Sequence, residues 1–215
     1  MARDAIEPYD TGMLDTGDGN LVYWEVCGNP EGIPVLVVHG GPGSGCTPGG
    51  RRRFDPQRHR IILFDQRNCG RSLPHASDPT TDLSRNTTGQ LMQDMERLRE
   101  YLGVDRWLLS GGSWGVTLSL AYAQRYPQHV VGMLMISVTT CRRSELDWLY
   151  RGVGRFFPEA WARFRDFAGV PGYRLPRTTN RRSSSCCTRT AGCWQILTRQ
   201  SGRGPLPSGS PGKTR

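Results

Sequence analysis

Apolar residues in the first 140 positions fall in short runs broken by Gly, Pro and Asp, not in long stripes. Pro34–Val38 is a continuous apolar run, and Arg60-Ile61-Ile62-Leu63-Phe64 is another, each of the length and character of a strand buried on both faces. Strands are also expected over 106–110 and, as a further buried strand, over Val130–Val138. Ahead of these, Tyr9–Leu14 and Leu21–Cys27 are rich in β-forming residues and flank Gly17-Asp18-Gly19-Asn20, a hairpin signal. Leu91, Met95, Leu98 and Leu102 recur at helical spacing, with Thr87 or Thr88 as the cap and Gly103 as the stop. A second helix is expected from Trp114 to Arg125, ended by Tyr126-Pro127. Strands that alternate with helices predict an α/β fold: a mainly parallel sheet with helices on both faces and the first two strands as its antiparallel edge.

The pattern changes after Cys141. Arg142–Gly152 and Pro158–Ala168 read as two amphipathic helices carrying Trp148, Leu149, Phe156, Phe157, Trp161, Phe164 and Phe167. A lid over a site and an ordinary peripheral helix pair both fit that pattern. From Arg177 onward apolar residues follow no period, and such a segment cannot bury enough surface to offset its ordering entropy. The expected organisation is a core over 1–141, the start of a helical cap over 142–176 and a basic, disordered tail over 177–215.

Charge and cysteine content alter this picture little. Of the formal net charge of +9, +8 resides in the tail, which holds eight basic residues and no acid, while residues 1–176 are nearly balanced. Basicity confined to a tail argues against a folded nucleic-acid surface. No apolar stretch is long enough to span a membrane, and the acids at Asp4 and Glu7 do not suit a signal peptide, so a cytoplasmic location is expected. The seven cysteines follow no framework spacing, and Cys186, Cys187 and Cys193 have neither zinc spacing nor a histidine among them.

Candidate chemistry lies where strands end. Trp107–Leu109 leads into Gly111-Gly112-Ser113-Trp114-Gly115, with a helix-forming segment behind it. That strand–turn–helix setting lifts a serine hydroxyl above a sheet as a nucleophile, and a Cβ at Gly111 or Gly115 would strike neighbouring backbone. Pro34–Val38 ends in His39-Gly40-Gly41-Pro42-Gly43, a loop able to bring backbone N–H groups close to a ligand. Asp65-Gln66-Arg67-Asn68-Cys69-Gly70-Arg71-Ser72 follows the next strand and suits an internal salt bridge beneath the site more than catalysis. The three arginines 51–53 read most simply as a solvated helix face.

Together these three motifs resemble those of the prolyl aminopeptidases (proline iminopeptidases) of the α/β-hydrolase fold, and the likeness extends over about residues 8–165. The resemblance implies a serine-type release of N-terminal proline from peptides, with no metal or organic cofactor. It implies Ser113 as nucleophile, the backbone N–H groups of Gly41 and Trp114 as oxyanion hole, and His39, Gly40, Pro42, Gly43, Gly111, Gly112 and Gly115 as residues that shape the loops. The partner implied is a peptide with N-terminal proline; no nucleic acid or membrane partner is expected.

The triad order of this fold is Ser, then Asp, then His. After Ser113 the histidine is His129, expected at the wrong end of the sheet, and the acids Asp147 and Asp166 fall in the lid segment. The resemblance places the family's Asp and His in a C-terminal half. Under a GC-rich choice of codons, residues 177–215 read from the third base of each codon give an acidic, amphipathic, helix-forming string containing W-L-A-W-E, similar to the family's W-x-x-W-E. A frameshift near residues 166–177, giving a truncated and weakly active or inactive product, is therefore expected, with strand 130–138 left as an exposed, aggregation-prone sheet edge. An esterase of the same fold and a non-catalytic fragment with a basic tail are the alternatives.

Overall fold

A computed structural model describes residues 6–167; the tail expected from residue 177, and residues 168–176 of the expected cap segment, lie outside the described residues. Strands β1 (Asp10–Asp15) and β2 (Leu21–Gly28) form the hairpin, turning through Gly17 and Gly19 at φ 75° and 85°. Strands β3 (Ile33–Val38), β4 (His59–Phe64), β5 (Trp107–Gly112) and β6 (Val130–Ile136) complete one six-stranded sheet in the order β1-β2-β4-β3-β5-β6. The β1–β2 and β2–β4 pairs are antiparallel, and the other three pairs are parallel. Helix α1 (Pro48–Arg51) lies between β3 and β4, α2 (Thr88–Tyr101) between β4 and β5, and α3 (Trp114–Arg125) between β5 and β6.

The period-2 alternation of the strands sorts their side chains onto two faces. Val22, Trp24, Val26, Leu36, Val38, Ile62, Phe64 and Leu109 point one way and pack with Leu91, Met95 and Leu98 of α2 and Leu118 and Tyr122 of α3. Val35, Val37, Ile61, Leu63 and Cys27 point the other way, where Phe54 and the short α1 supply a smaller cover. Helices thus lie on both faces, as the alternation predicted. Thr87 caps α2 by accepting from the Gln90 N–H at 3.2 Å, and Gly103 stops it with φ 64°.

One expectation holds and one changes. The apolar last strand, expected to be left as an exposed edge, is one: in β6 Val131, Leu134 and Ile136 are exposed, while Met133 and Met135 pack inward. The arginines 51–53 do not form one solvated face, because α1 ends at Arg51 and turns that guanidinium inward onto Glu25, leaving 8% of the residue exposed. Beyond β6, α4 (Arg143–Tyr150) and α5 (Pro158–Phe167) flank a 3-10 turn over Gly152–Arg155; Trp148 and Leu149 of α4, Phe164 of α5, and Phe156 and Phe157 just before α5 are exposed.

Candidate active site

β5 continues past its apolar run through Ser110-Gly111-Gly112, so Ser113 stands between the last strand residue and the first residue of α3. It adopts φ 53° and ψ −122°, a conformation that costs a non-glycine residue of order 1–3 kcal/mol. Its N–H donates to the Ile136 carbonyl at 3.1 Å, and its own carbonyl accepts from Val116 N–H at 2.9 Å. A Cβ on Gly111 would stand 2.6 Å from the Gly115 carbonyl oxygen, and one on Gly115 would stand 2.2 Å from that of Val38. The two flanking glycines are therefore demanded by backbone approaching backbone. Trp114 opens α3, where an N–H has no carbonyl one turn earlier to bond.

The loop after β3 closes on the same place. A Cβ on Gly40 would lie 2.8 Å from the Gly112 carbonyl oxygen and 3.3 Å from Cβ of Ser113, and Gly41 holds φ +111°. Gln66 N–H donates to His39 Nε2 at 2.9 Å, so the ring proton sits on Nδ1, which donates to the Gly40 carbonyl at 2.9 Å. Both ring nitrogens are engaged in holding the loop. Burial lowers the His39 pKa below its ordinary 6.5 and favours this neutral form. The Gln66 side chain donates from Nε2 to the His39 carbonyl at 2.9 Å and accepts from Trp114 Nε1 at 3.0 Å. One amide thus connects the ends of β3 and β4 with the turn at Ser113. A recess of about 320 Å³ opens at this point, lined by Gly40, Ser44, Arg53, Gly112, Ser113 and Ser137 among others.

Two ion-pair groups support these loops. Asp65 accepts from the N–H of Cys46 at 2.5 Å and of Arg71 at 2.8 Å, and from Arg71 Nε at 2.9 Å. Burial pushes its carboxyl up, but Arg71 and those backbone donors outweigh burial and hold it below the usual value. Arg71 reaches on to Glu25 at 3.1 Å, and Glu25 takes Arg51 through Nε at 2.7 Å and Nη2 at 3.1 Å. On the other side of the sheet the fully buried Arg67 grips Asp94 at 2.7 and 2.6 Å and Asp18 at 2.9 Å. The salt bridges expected of the 65–72 loop are present. Gln66 as a bridge, and Glu25, Asp18 and Asp94 as partners, were not foreseen.

All four histidines of the sequence fall among the described residues. His59 bonds the Asp55 carbonyl, His75 bonds Ser77, and His129 bonds the Asp105 carbonyl at 2.9 Å with Glu96 3.5 Å away. His129 precedes β6, whereas Ser113 follows β5 and bonds Ile136 at the far end of β6. Six strand steps separate the two levels, roughly 20 Å. Ser113, Gly40 and Trp114 are therefore brought together, with Gly41 next in the loop, and no histidine joins them as a base. Among the described residues no group of three or more His, Cys, Asp or Glu is placed to hold a metal ion, and no helix is long and apolar enough to cross a membrane.

Comparison with known proteins adds a family. A family model described as the alpha/beta hydrolase fold matches residues 33–182. The chain is 58% identical over 159 residues to a probable proline iminopeptidase of Streptomyces coelicolor, covering 74% of this chain and 49% of that protein. It is 48% identical over 162 residues to a proline iminopeptidase of Arabidopsis thaliana, covering 75% of this chain and 41% of that one. The chain thus spans about half the length of the curated relatives it matches. Among solved structures, a proline iminopeptidase-related protein of Thermus thermophilus superposes with TM-score 0.54 at 30% identity, covering 68% of this chain and 49% of the other. The proline iminopeptidase of Mycobacterium smegmatis superposes with TM-score 0.57 at 23% identity, over 75% and 55% of the two chains, a likeness of fold.

Proposed function

The chain belongs to the α/β-hydrolase fold family, and on that premise we propose that it carries the nucleophile half of a serine-type aminopeptidase that releases N-terminal proline from peptides. In this reading Ser113 Oγ attacks the carbonyl carbon of the proline residue, and the backbone N–H groups of Trp114 and Gly41 hold the oxyanion. The proton leaving Ser113 passes through a base to the departing amine of the next residue, and water then releases proline from the serine ester. His39 is a positioning residue for the loop and not that base, since Gln66 N–H occupies Nε2 and the Gly40 carbonyl takes the Nδ1 proton. The single observation that carries the proposal is Ser113 at φ 53° between β5 and α3 with the Gly40–Gly41 loop packed against it.

Residues 1–141 are read as the N-terminal part of the hydrolase core, and α4 and α5 as the start of a cap over the site. A cytoplasmic location belongs to the same reading; Cys27, Cys46, Cys69 and Cys141 are free thiols, the state a reducing compartment maintains. The 215-residue chain is expected to turn over proline 2-naphthylamide and a short acyl ester at near-background rates, because none of its four histidines is placed to serve Ser113 as a base. A chimera joining residues 1–165 to the C-terminal half of the Streptomyces coelicolor relative tests the function itself. Proline release that is abolished by Ser113→Ala supports the proposal. An active chimera that cleaves the ester and leaves the proline amide untouched overturns it in favour of an esterase.

A further inference from the structure

Three consecutive arginines leave α1 with different fates. Arg51 is buried against Glu25 and Glu7, whereas Arg53 is exposed and makes no ion pair among the described residues. Arg53 nevertheless lines the same recess as Ser113, and its Nη2 and Nη1 stand 3.9 and 4.0 Å from where a Cβ on Gly112 would be. No carboxylate of the described residues lines that recess, and its other polar side chains are the ring of His39, the thiol of Cys46 and the hydroxyls of Ser44, Thr47, Ser113 and Ser137. Its one charged side chain is therefore a guanidinium without a counter-ion, beside the residue that precedes Ser113.

We propose that Arg53 binds the free α-carboxylate of a substrate in which a single residue follows the scissile bond. This rests on reading Ser113 as the nucleophile. The chemistry fits, and Arg53 lines the same recess as Ser113. A guanidinium presents paired N–H donors to the two oxygens of a carboxylate. When the carbonyl carbon sits at Ser113, the carboxylate carbon of a dipeptide lies three bonds beyond it, about 3.0–3.7 Å away. A longer peptide places an uncharged amide at that position and leaves Arg53 unmatched, so the recess selects dipeptides over extended chains. Arg53 thus determines specificity on the leaving-group side of the bond.

Calorimetric titration of the full chain tests this without requiring turnover. The ligands are Pro-Ala, Pro-Ala amide and N-acetylalanine, and the variants are R53Q and R53K. Because Arg53 is exposed, R53Q is expected to leave the fold intact and to weaken Pro-Ala binding about fivefold, the scale of an exposed charge pair. Pro-Ala amide should bind wild type and R53Q equally, and R53K should recover part of the loss for Pro-Ala. Equal weakening of the dipeptide and its amide, no change for either, or no binding of any ligand overturns the proposal. If N-acetylalanine binds as well as Pro-Ala with the same dependence on Arg53, the carboxylate site stands and the proline reading falls.

Discussion

The two faces of the sheet are built from the same strands and finished differently. One face closes over a continuous cluster in which Trp107, Leu109, Leu98, Met95, Leu118 and Tyr122 are fully buried beneath α2 and α3. The other has five buried strand residues under a four-residue helix and Phe54, then opens at β6, where Leu134 and Ile136 remain exposed. The recess beside Ser113 lies on this open side, lined by Val37, Leu63 and Ile136 as well as the polar loops. The closed face holds the larger core of the fold, and the open face holds the recess beside Ser113.

The largest expected effect is on the closed face. Leu118→Ala should destabilise by about 3 kcal/mol in urea unfolding, the usual cost of such a cavity in a packed core. Leu134→Ala should change stability by less than about 0.5 kcal/mol, as exposed positions do. Similar values for the two would break the comparison. Next comes the turn that joins the faces: Gly115→Ala forces a Cβ against the Val38 carbonyl and should cost about 2 kcal/mol or more, read as a lower melting temperature.

A smaller effect is expected from pH. The folded-state pKa of His39 is depressed below 6.5, so above that value the ring is neutral folded and unfolded alike. Below it the unfolded chain takes up a proton that the folded chain refuses, and stability falls with pH until the folded pKa is passed. Glu25 and Asp65 are also depressed, so their contribution is complete above the ordinary values of 4.5 and 3.8 and is lost as pH falls through their lower folded values. His39→Gln should flatten the stability curve between about pH 6.5 and 5 while leaving the steeper acid limb in place. An unchanged slope in that interval would remove His39 from the account. The smallest effect is expected from Leu134→Lys at the exposed β6 edge, which should leave the melting temperature nearly unchanged and reduce aggregation measured by light scattering.

The sheet was legible because its signals are local. The run at Pro34–Val38, the Thr87 cap and the stop at Gly103 each act within a few residues. The spacing of Gly111, Ser113 and Gly115 also encoded the turn, since each glycine faces backbone that any similar turn would bring near. The long-range partners were not legible. Arg51 meets Glu25 across 26 residues, Arg67 meets Asp94 across 27, and Trp114 hydrogen-bonds Gln66 across 48. Nothing in the local pattern around Arg51, Arg52 and Arg53 says which guanidinium turns inward. Val130–Ile136 is apolar enough for a central strand, and its edge position was legible from the resemblance, not from its composition.

The backbone at Ser113 leaves a mark that can be read without any substrate. Glycine occupies φ 53° and ψ −122° more readily than any residue with a side chain, so Ser113→Gly relaxes the turn. The greater freedom of glycine in the unfolded chain offsets part of that gain, and a net rise of up to about 1 kcal/mol is expected. The variant that melts highest at this position would be the one unable to attack a carbonyl. A calorimeter would then mark the proposed nucleophile by the instability it imposes on its own fold.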